Sequence, residues 1–289
     1  MSRTLRVGLT QWHATDDVDA NLATALDLIA SAGADDADLV VLPENGLMLG
    51  TNTTMREKAL TESGPEISAL RAAAGDHGVA VVLGGMKNST PDGVFNSAVV
   101  IGPDGDLAGR YDKIHLFDAR VNGQSFEAST VERAGSRPVL LDLGSTVAGL
   151  TICYDVRFPE LYRALALAGA EVLLVPSAFL HVTGGAHWHT LLAARAIENG
   201  CYVVAPATIR GGPGAADAFE TYGHALVVSP WGEIIADLRE DAPAVQVIEL
   251  DLAAVEKARA TLPVLHGTKP AAYVTEPELI RVNNHKENQ

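Results

Sequence analysis

The stretch "LTICYDVRFPELYRALALAGAEVLLVPSAF", residues 150–179, contains the strand-helix-strand pattern on which the fold of this 289-residue chain depends. It completes the apolar run "VAGLTIC", continues into a segment whose apolar residues recur at helical spacing, and returns to an apolar run in "EVLLVPS". Such an order predicts a β-α-β unit with two parallel strands. Cys153, one of only two cysteines, lies where the first strand gives way to the helix.

The same alternation extends outward in both directions. "LRVGLTQW", "VDANLATALDLIASAG" and "DLVVLPE" predict a strand, a helix and a strand near the N-terminus. "NSAVVIG" and "LAGRYDK" flank the turn-forming "PDGD" and predict an antiparallel hairpin, as does "GHALVVSPWGEIIADL". β-α-β units combined with hairpins predict stacked sheets flanked by helices in one α/β domain, and no linker interrupts them.

Composition and charge exclude several classes of protein. The 47% hydrophobic and 20% charged residues are typical of a globular domain. A net charge of -15 argues against nucleic acid or an anionic membrane as partner, because either needs clustered Lys and Arg. The polar N-terminus and the lack of any apolar run of about 18 residues predict a cytoplasmic protein. Two cysteines do not make a disulfide framework or a multi-cysteine zinc site.

Cys153 is a candidate nucleophile because of its position between a strand and a helix. A side chain at such a turn can project from the edge of a sheet, with the Tyr154 N–H and the helix N-terminus beside it. Both groups would lower the pKa of a thiol or hold an oxyanion. The alternative is that Cys153 is a small buried hydrophobic side chain.

Glu44 and Lys113 also follow predicted strands. Glu44, in "DLVVLPENG", is a candidate general base, and we expect burial to raise its pKa toward the range useful for proton transfer. Lys113, in "GRYDKIHLFD", can stabilise an oxyanion if it is buried near Glu44. Taken singly, each residue can equally be an ordinary solvated side chain.

Three segments, "LPENG", "YDKIHLFD" and "ICYDVRFPELYR", resemble in this order the signature segments of the nitrilase superfamily of carbon-nitrogen hydrolases. The similarity continues through "PSAF", "TGGAHWHTLLAARAIENGCYVV" and "YGHALVVSPWGE". It implies an α/β fold of the four-layer α-β-β-α sandwich type over residues 1–262. The remaining residues, 263–289, would form a C-terminal arm that contacts a partner in a homodimer or higher homo-oligomer and then frays.

The resemblance implies a catalytic triad that needs neither metal nor cofactor. Glu44 corresponds to the general base, Lys113 to the oxyanion stabiliser and proton donor, and Cys153 to the nucleophile. The superfamily often has a second glutamate after the lysine, which positions substrate or water. Glu127, in "NGQSFEAS", matches it.

Details of the cysteine segment point to the amidase branches, because Tyr154 stands where nitrilases usually have tryptophan. The segments are most similar to the group that contains ω-amidase and deaminated-glutathione amidase. This similarity implies hydrolysis of a small carboxylate-bearing amide through a cysteine thioester. The residues that it places around the substrate are Tyr154, Arg157, Phe179 and Thr183. Arg157 would hold the substrate carboxylate.

Several alternatives stay open. Arg157 can instead form a structural salt bridge with Asp155 or Glu160. The same triad can serve a carbamoylase that splits N-carbamoyl amino acids, and the same scaffold can belong to a non-catalytic binding protein.

The chain departs from the family pattern at His189, where glutamate is usual, and at Asp112, which precedes the catalytic lysine. His181, His187 and His189 do not predict a metal site, because residues two apart on a helix point to different sides and no carboxylate lies at ligand spacing. The glycine-rich "GGPGAADAFE", residues 211–220, predicts a mobile loop, which can lie at the mouth of the site.

Overall fold

The strands and helices that the sequence predicts occur along the chain in the predicted order. The computed structural model describes residues 3–210 and 220–281, so nearly all of the predicted loop at 211–220 and the tail from 282 lie outside it. The strands are β1 Thr4–His13, β2 Leu39–Leu42, β3 Ala80–Thr90, β4 Gly93–Ile101, β5 Leu107–Asp112, β6 Asp118–Val121, β7 Gln124–Glu127, β8 Val139–Asp142, β9 Val147–Leu150, β10 Val172–Leu174, β11 Tyr202–Ala205, β12 Ala207–Arg210, β13 Thr221–Tyr222, β14 Leu226–Val228, β15 Ile234–Asp237 and β16 Ala244–Asp251.

The α-helices are α1 Val18–Ala34, α2 Asn52–Glu57, α3 Pro65–His77, α4 Pro159–Leu167, α5 His181–Asn199, α6 Ala253–Thr261 and α7 Pro270–Tyr273. Asp17 caps α1 by accepting from the Ala20 N–H, and Gly78 ends α3 in the left-handed conformation that glycine adopts without strain. Among the helices described, none has the length and hydropathy needed to cross a membrane.

Two large sheets repeat one plan. In the first, β1, β2 and β3 are parallel and connected through α1 and α3, and β4 and β5 continue the sheet antiparallel. In the second, β9, β10 and β11 are parallel and connected through α4 and α5, with β14 and β15 antiparallel beyond them. Helical crossovers are what parallel neighbours require, so the alternation in the sequence dictates this topology.

The sheets pack against each other and carry helices on their outer faces. In β2, Leu39 and Val41 join the core shared with the second sheet, whereas Val40 and Leu42 join the core beneath α1 and α3. Helices α4 and α5 cover the other face of the second sheet. Strands covered on both faces read as continuous apolar runs, which is why "DLVVLPE" and "EVLLVPS" do not alternate. The predicted four-layer α-β-β-α sandwich is confirmed.

The layered arrangement brings distant parts of the chain to one edge. Glu44 follows β2, Cys153 follows β9 and Ala178 follows β10, each at the carboxyl end of a parallel strand. Lys113 follows β5 on the neighbouring part of the first sheet. Crevices at the carboxyl ends of parallel strands are where α/β proteins bind ligands.

Candidate active site

Cys153 lies on a sharp turn between β9 and α4. Its backbone is in the left-handed region, with φ of 47°, and its N–H donates to the Pro176 carbonyl at 2.9 Å. A short 3-10 turn, Cys153–Arg157, leads into α4. A left-handed non-glycine residue costs roughly 1 kcal/mol or more, so the surrounding structure must hold this geometry. The predicted position at a strand-to-helix turn is confirmed.

Asp155 braces that turn from inside. Its side chain is fully buried and accepts from the Tyr111 hydroxyl at 2.8 Å, the Ile152 N–H at 2.9 Å and the His115 N–H at 3.1 Å. The His115 ring nitrogen Nδ1 lies 2.7 Å from the same carboxylate. These bonds join the nucleophile turn to the segment around Lys113. The available signal for this role was a charged residue directly after an apolar strand.

Glu44, Lys113 and Cys153 meet at the bottom of a cavity. Glu44 Oε1 accepts from Lys113 Nζ at 2.7 Å and from Asn96 Nδ2 at 2.9 Å, and Oε2 accepts from the Ala178 N–H at 2.9 Å. The Cys153 thiol is a further hydrogen-bond partner of the Glu44 carboxylate. All three side chains are buried, so the carboxylate links the lysine and the thiol away from bulk water.

The charge state of Glu44 differs from the expectation drawn from sequence. Burial by itself would raise the pKa of Glu44, but the ammonium groups of Lys113 and Lys87 outweigh burial and lower the pKa to about 2. Burial likewise opposes protonation of Lys113, yet the Glu44 carboxylate keeps the pKa of Lys113 above its ordinary value. The predicted upward shift is wrong, because two lysines from other segments surround the carboxylate.

The thiol shifts in the opposite direction. Burial raises the pKa of Cys153, the negative charge of Glu44 raises it further, and the Lys113 ammonium only partly compensates. The expectation that the helix N-terminus and the Tyr154 N–H would lower this pKa is therefore wrong in its net sign. The resting site holds a neutral thiol between an ionised carboxylate and an ammonium.

The cavity encloses about 710 Å³ of empty space, part of it open to solvent. Every catalytic and substrate-binding residue predicted from the sequence lines it: Glu44, Lys113, Glu127, Cys153, Tyr154, Arg157, Phe179 and Thr183. Phe117 and Phe126 add apolar surface on the side of Glu127. A polar floor below an aromatic wall is typical of a small-molecule site.

Arg157 faces the cavity without a carboxylate partner among the described residues. Its guanidinium lies 5.0 Å from the Phe179 ring centre and 5.9 Å from that of Tyr154, and Nη1 lies 3.3 Å from His187 Nδ1. Asp155 is occupied by other donors. The alternative of a salt bridge to Asp155 or Glu160 is thus not observed in the described structure.

A second glutamate lies deeper in the cavity than Glu127. Glu127 is exposed at the rim, where it accepts from the Ser125 hydroxyl at 3.0 Å. Glu132 is buried and forms an ion pair with buried Lys87 at 2.5 Å, and both line the cavity. Sequence reasoning missed this pair. The available signal was a lysine within the apolar strand β3, which needs a partner when buried.

The two departures from the family pattern lie outside the cavity lining. Asp112 accepts from the Ser97 hydroxyl at 2.6 Å and pairs with Arg110 at 3.1 Å. His189 Nε2 lies 3.2 Å from Asp237 Oδ2, and neither residue lines the cavity. The side-chain partners of Asp112 and His189 in these interactions are Ser97, Arg110 and Asp237, none of which belongs to the Glu44, Lys113 and Cys153 group.

The family model of carbon-nitrogen hydrolases matches residues 6–260. The chain belongs to the carbon-nitrogen hydrolase family. A Synechocystis protein named deaminated glutathione amidase is 38% identical over 88% of this chain and 94% of its own length. The crystal structure of the Caenorhabditis elegans NitFhit protein aligns with a TM-score of 0.87 and 33% identity, covering 94% of this chain and 67% of that chain.

A mutant of the amidase from Nesterenkonia sp. AN1 aligns with a TM-score of 0.74 and 27% identity. Its structure shows the result of Michael addition of acrylamide at the active-site cysteine of that amidase. The alignment covers 90% of this chain and 98% of that chain. These likenesses confirm the nitrilase-superfamily resemblance and the prediction of an amidase-type hydrolase. They favour neither the carbamoylase nor the non-catalytic alternative.

Proposed function

We propose that this carbon-nitrogen hydrolase cleaves small amides that carry a carboxylate through a thioester on Cys153, with deaminated glutathione as the preferred substrate. The observation that carries the proposal is the Glu44–Lys113 pair, at 2.7 Å, beside Cys153 on the floor of the cavity. The name of the Synechocystis relative supports the choice of substrate. α-Ketoglutaramate, which has the same acyl group and ammonia as leaving group, is the other member of the proposed substrate class.

Acylation begins when Glu44 accepts the thiol proton and Cys153 Sγ attacks the amide carbon. Lys113 and the Tyr154 N–H stabilise the negative charge that develops on the amide oxygen. With a raised thiol pKa and a lowered carboxylate pKa, proton transfer is uphill in the empty cavity. It becomes favourable once the C–S bond forms, because the sulfur then no longer carries a proton or a full negative charge.

The carboxyl group of Glu44 also serves the end of acylation and then deacylation. Protonated Glu44 gives its proton to the departing nitrogen as the C–N bond breaks, which leaves the thioester and an ionised Glu44. The carboxylate then takes a proton from water as that water attacks the thioester carbon. Collapse of the second tetrahedral intermediate releases the carboxylic acid, and the thiolate regains its proton from Glu44.

The acyl group of the substrate binds against Arg157 and the aromatic side chains beside it. Arg157 pairs with the substrate carboxylate, for which a planar guanidinium is suited. Phe179 and Tyr154 hold the guanidinium from the sides, since both rings lie within about 6 Å of it. Thr183 borders the acyl group, and Glu127 at the rim positions the leaving group or the attacking water.

The test is a kinetic comparison of deaminated glutathione, α-ketoglutaramate, an N-carbamoyl amino acid and a simple nitrile. We expect the two ω-amides to have the highest kcat/KM and Cys153→Ala to abolish turnover while thermal unfolding stays cooperative. Release of carbon dioxide from the N-carbamoyl substrate as the fastest reaction would assign the chain as a carbamoylase. Normal turnover by Cys153→Ala would refute the thioester mechanism.

We further propose that residues 1–262 form the catalytic domain and that the arm at 263–289 contacts a second copy in a homodimer or higher homo-oligomer. Support comes from apolar side chains that the arm exposes, at 70% for Tyr273, 85% for Val274 and 79% for Ile280. Truncation after Leu262 should lower the mass measured in solution by light scattering. The proposed compartment is the cytoplasm, which cell fractionation tests.

A further inference from the structure

A cluster of three metal-ligating side chains lies between α5 and the β14–β15 hairpin, outside the cavity lining. It consists of His189 on α5, His224 in the turn before β14, and Asp237 at the end of β15. His189 Nε2 and His224 Nδ1 each lie 3.2 Å from Asp237 Oδ2, and His224 Nδ1 also lies 3.1 Å from Asp237 Oδ1. One atom from each residue falls within 4.8 Å of the other two. Three separate elements therefore converge on one point.

These separations fit a tetrahedral ion. Two nitrogen or oxygen ligands at about 2.0–2.1 Å from zinc lie about 3.3 Å apart across the tetrahedral angle. Both histidine nitrogens lie 3.2 Å from the same oxygen, Asp237 Oδ2, which is close to that separation. We propose that His189, His224 and Asp237 form a binding site for a divalent transition-metal ion, Zn²⁺ above others. Imidazole and carboxylate are ligands that Zn²⁺ accepts, and water completes the tetrahedron.

Neighbouring groups orient the ligands. The His224 ring stacks on Tyr222 with centres 4.4 Å apart and planes 18° apart, and the His224 carbonyl accepts from Trp188 Nε1 at 2.9 Å. The backbone of His224 is left-handed, with φ of 53°, and its N–H donates to the Arg239 carbonyl at 2.9 Å. Asp237 Oδ1 accepts from the Arg239 N–H at 2.8 Å. Such outer partners fix ring and carboxylate orientation in metal sites.

The site is also accessible to an ion. Side-chain exposures of 32% for His189, 21% for His224 and 22% for Asp237 leave each ligand in contact with solvent. An ion here joins α5 to the β14–β15 edge of the second sheet, so its expected effect is stabilisation of the fold. This site is independent of the chemistry at Cys153.

A hydrogen-bond network is the competing explanation, because two neutral imidazole N–H groups can donate to one carboxylate at the same distances. The two explanations differ at His189→Gln. A glutamine amide N–H can still donate to Asp237, but an amide is a poor ligand for Zn²⁺. The variant therefore removes a metal site while it preserves a hydrogen-bond network.

The experiment uses the full chain with Cys153→Ala, since Zn²⁺ can displace the proton of a thiol and bind its sulfur. After dialysis against EDTA, Zn²⁺ is titrated in competition with a chromophoric chelator, and Co²⁺ is added separately to record the visible bands of tetrahedral coordination. We expect one Zn²⁺ per chain and a rise in Tm with Zn²⁺. His189→Gln and Asp237→Asn in the same background should each weaken binding by at least about tenfold.

His266→Gln, which changes an exposed histidine outside the cluster, is the matched control and should bind Zn²⁺ like its parent. Circular dichroism and the metal-free Tm establish whether each variant is folded. If His189→Gln does not fold, Asp237→Asn provides the test instead. Less than about 0.1 Zn²⁺ per chain, or affinity unchanged in both folded variants, would overturn the assignment.

Discussion

Replacing Arg157 with methionine tests how the cavity selects carboxylate-bearing amides. Methionine keeps an apolar stem of similar length against Phe179, whose ring centre lies 5.0 Å from the guanidinium, and removes only the charged fork. Arg157 has no carboxylate partner among residues 3–210 and 220–281. The substitution therefore leaves no buried carboxylate uncompensated within the described structure, and the expected loss comes from the substrate side.

The magnitude follows from the strength of a charge-assisted hydrogen bond, about 1.5–3 kcal/mol. Because Arg157 is half-buried rather than buried, solvent screens the pair and the lower part of that range applies. A loss of about 1.5–2 kcal/mol corresponds to roughly 10–30-fold in kcat/KM. Arg157→Lys should lose less, since the ammonium keeps the charge but not the bidentate geometry.

The assay compares deaminated glutathione or α-ketoglutaramate with an analogue in which the carboxylate next to the keto group is an uncharged methyl ester. Arg157→Met should lower kcat/KM by the stated factor for the acid and by less than about threefold for the ester. Equal losses for acid and ester would show that Arg157 acts through the shape of the cavity and refute the charge argument.

Three further outcomes follow from the buried groups. Glu132→Gln should lower kcat/KM more than Glu127→Gln does, because Glu132, unlike Glu127, neutralises the buried Lys87 of the cavity. Equal losses in steady-state kinetics would contradict this prediction. The rate at which iodoacetamide alkylates Cys153 in the free enzyme should still increase with pH above 9.0, the ordinary pKa of a thiol, because burial and Glu44 raise the pKa of Cys153. A rate that reaches a plateau below pH 9.0 would be inconsistent with that shift. Asp155→Asn should lower the free energy of unfolding in urea by about 2–4 kcal/mol, because the new NH₂ group would face the N–H donors that Asp155 now accepts from. A loss under about 1 kcal/mol would disprove the proposal that Asp155 braces the turn at Cys153.

The fold was predictable because each buried strand and each crossover helix has its own local pattern. The elements that were not predicted include α2, Asn52–Glu57, and the hairpin of β6 and β7, Asp118–Val121 and Gln124–Glu127. Both strands of that hairpin are short and largely exposed, so neither shows alternation of apolar residues. The turn between them, Asn122-Gly123, has both residues at positive φ and was the available signal.

The site residues that follow a strand could be predicted from the sequence. The residues that pair with each other from separate segments of the chain could not. Glu44 and Cys153 end strands of different sheets, and the resemblance joins them to Lys113. Lys87 and Glu132 come from β3 and from a loop after β7, and no local pattern indicates that both face one cavity. The direction of the Glu44 pKa shift depended on Lys87, which is why burial alone gave the wrong sign.

The distribution of charge in the cavity supports the proposal that Arg157 selects an anionic substrate. Acidic residues outnumber basic ones by 36 to 21 in this chain, so a basic side chain usually finds a carboxylate. Lys113 and Lys87 are paired with Glu44 and Glu132, and each pair has little net charge to offer a ligand. Arg157 faces the same cavity and, within the described structure, has only aromatic rings and a histidine as partners. On the proposed function, a substrate carboxylate therefore gains most beside Arg157 rather than beside the paired lysines, and the pairing of Glu44 with Lys113 keeps those two charges balanced for proton transfer.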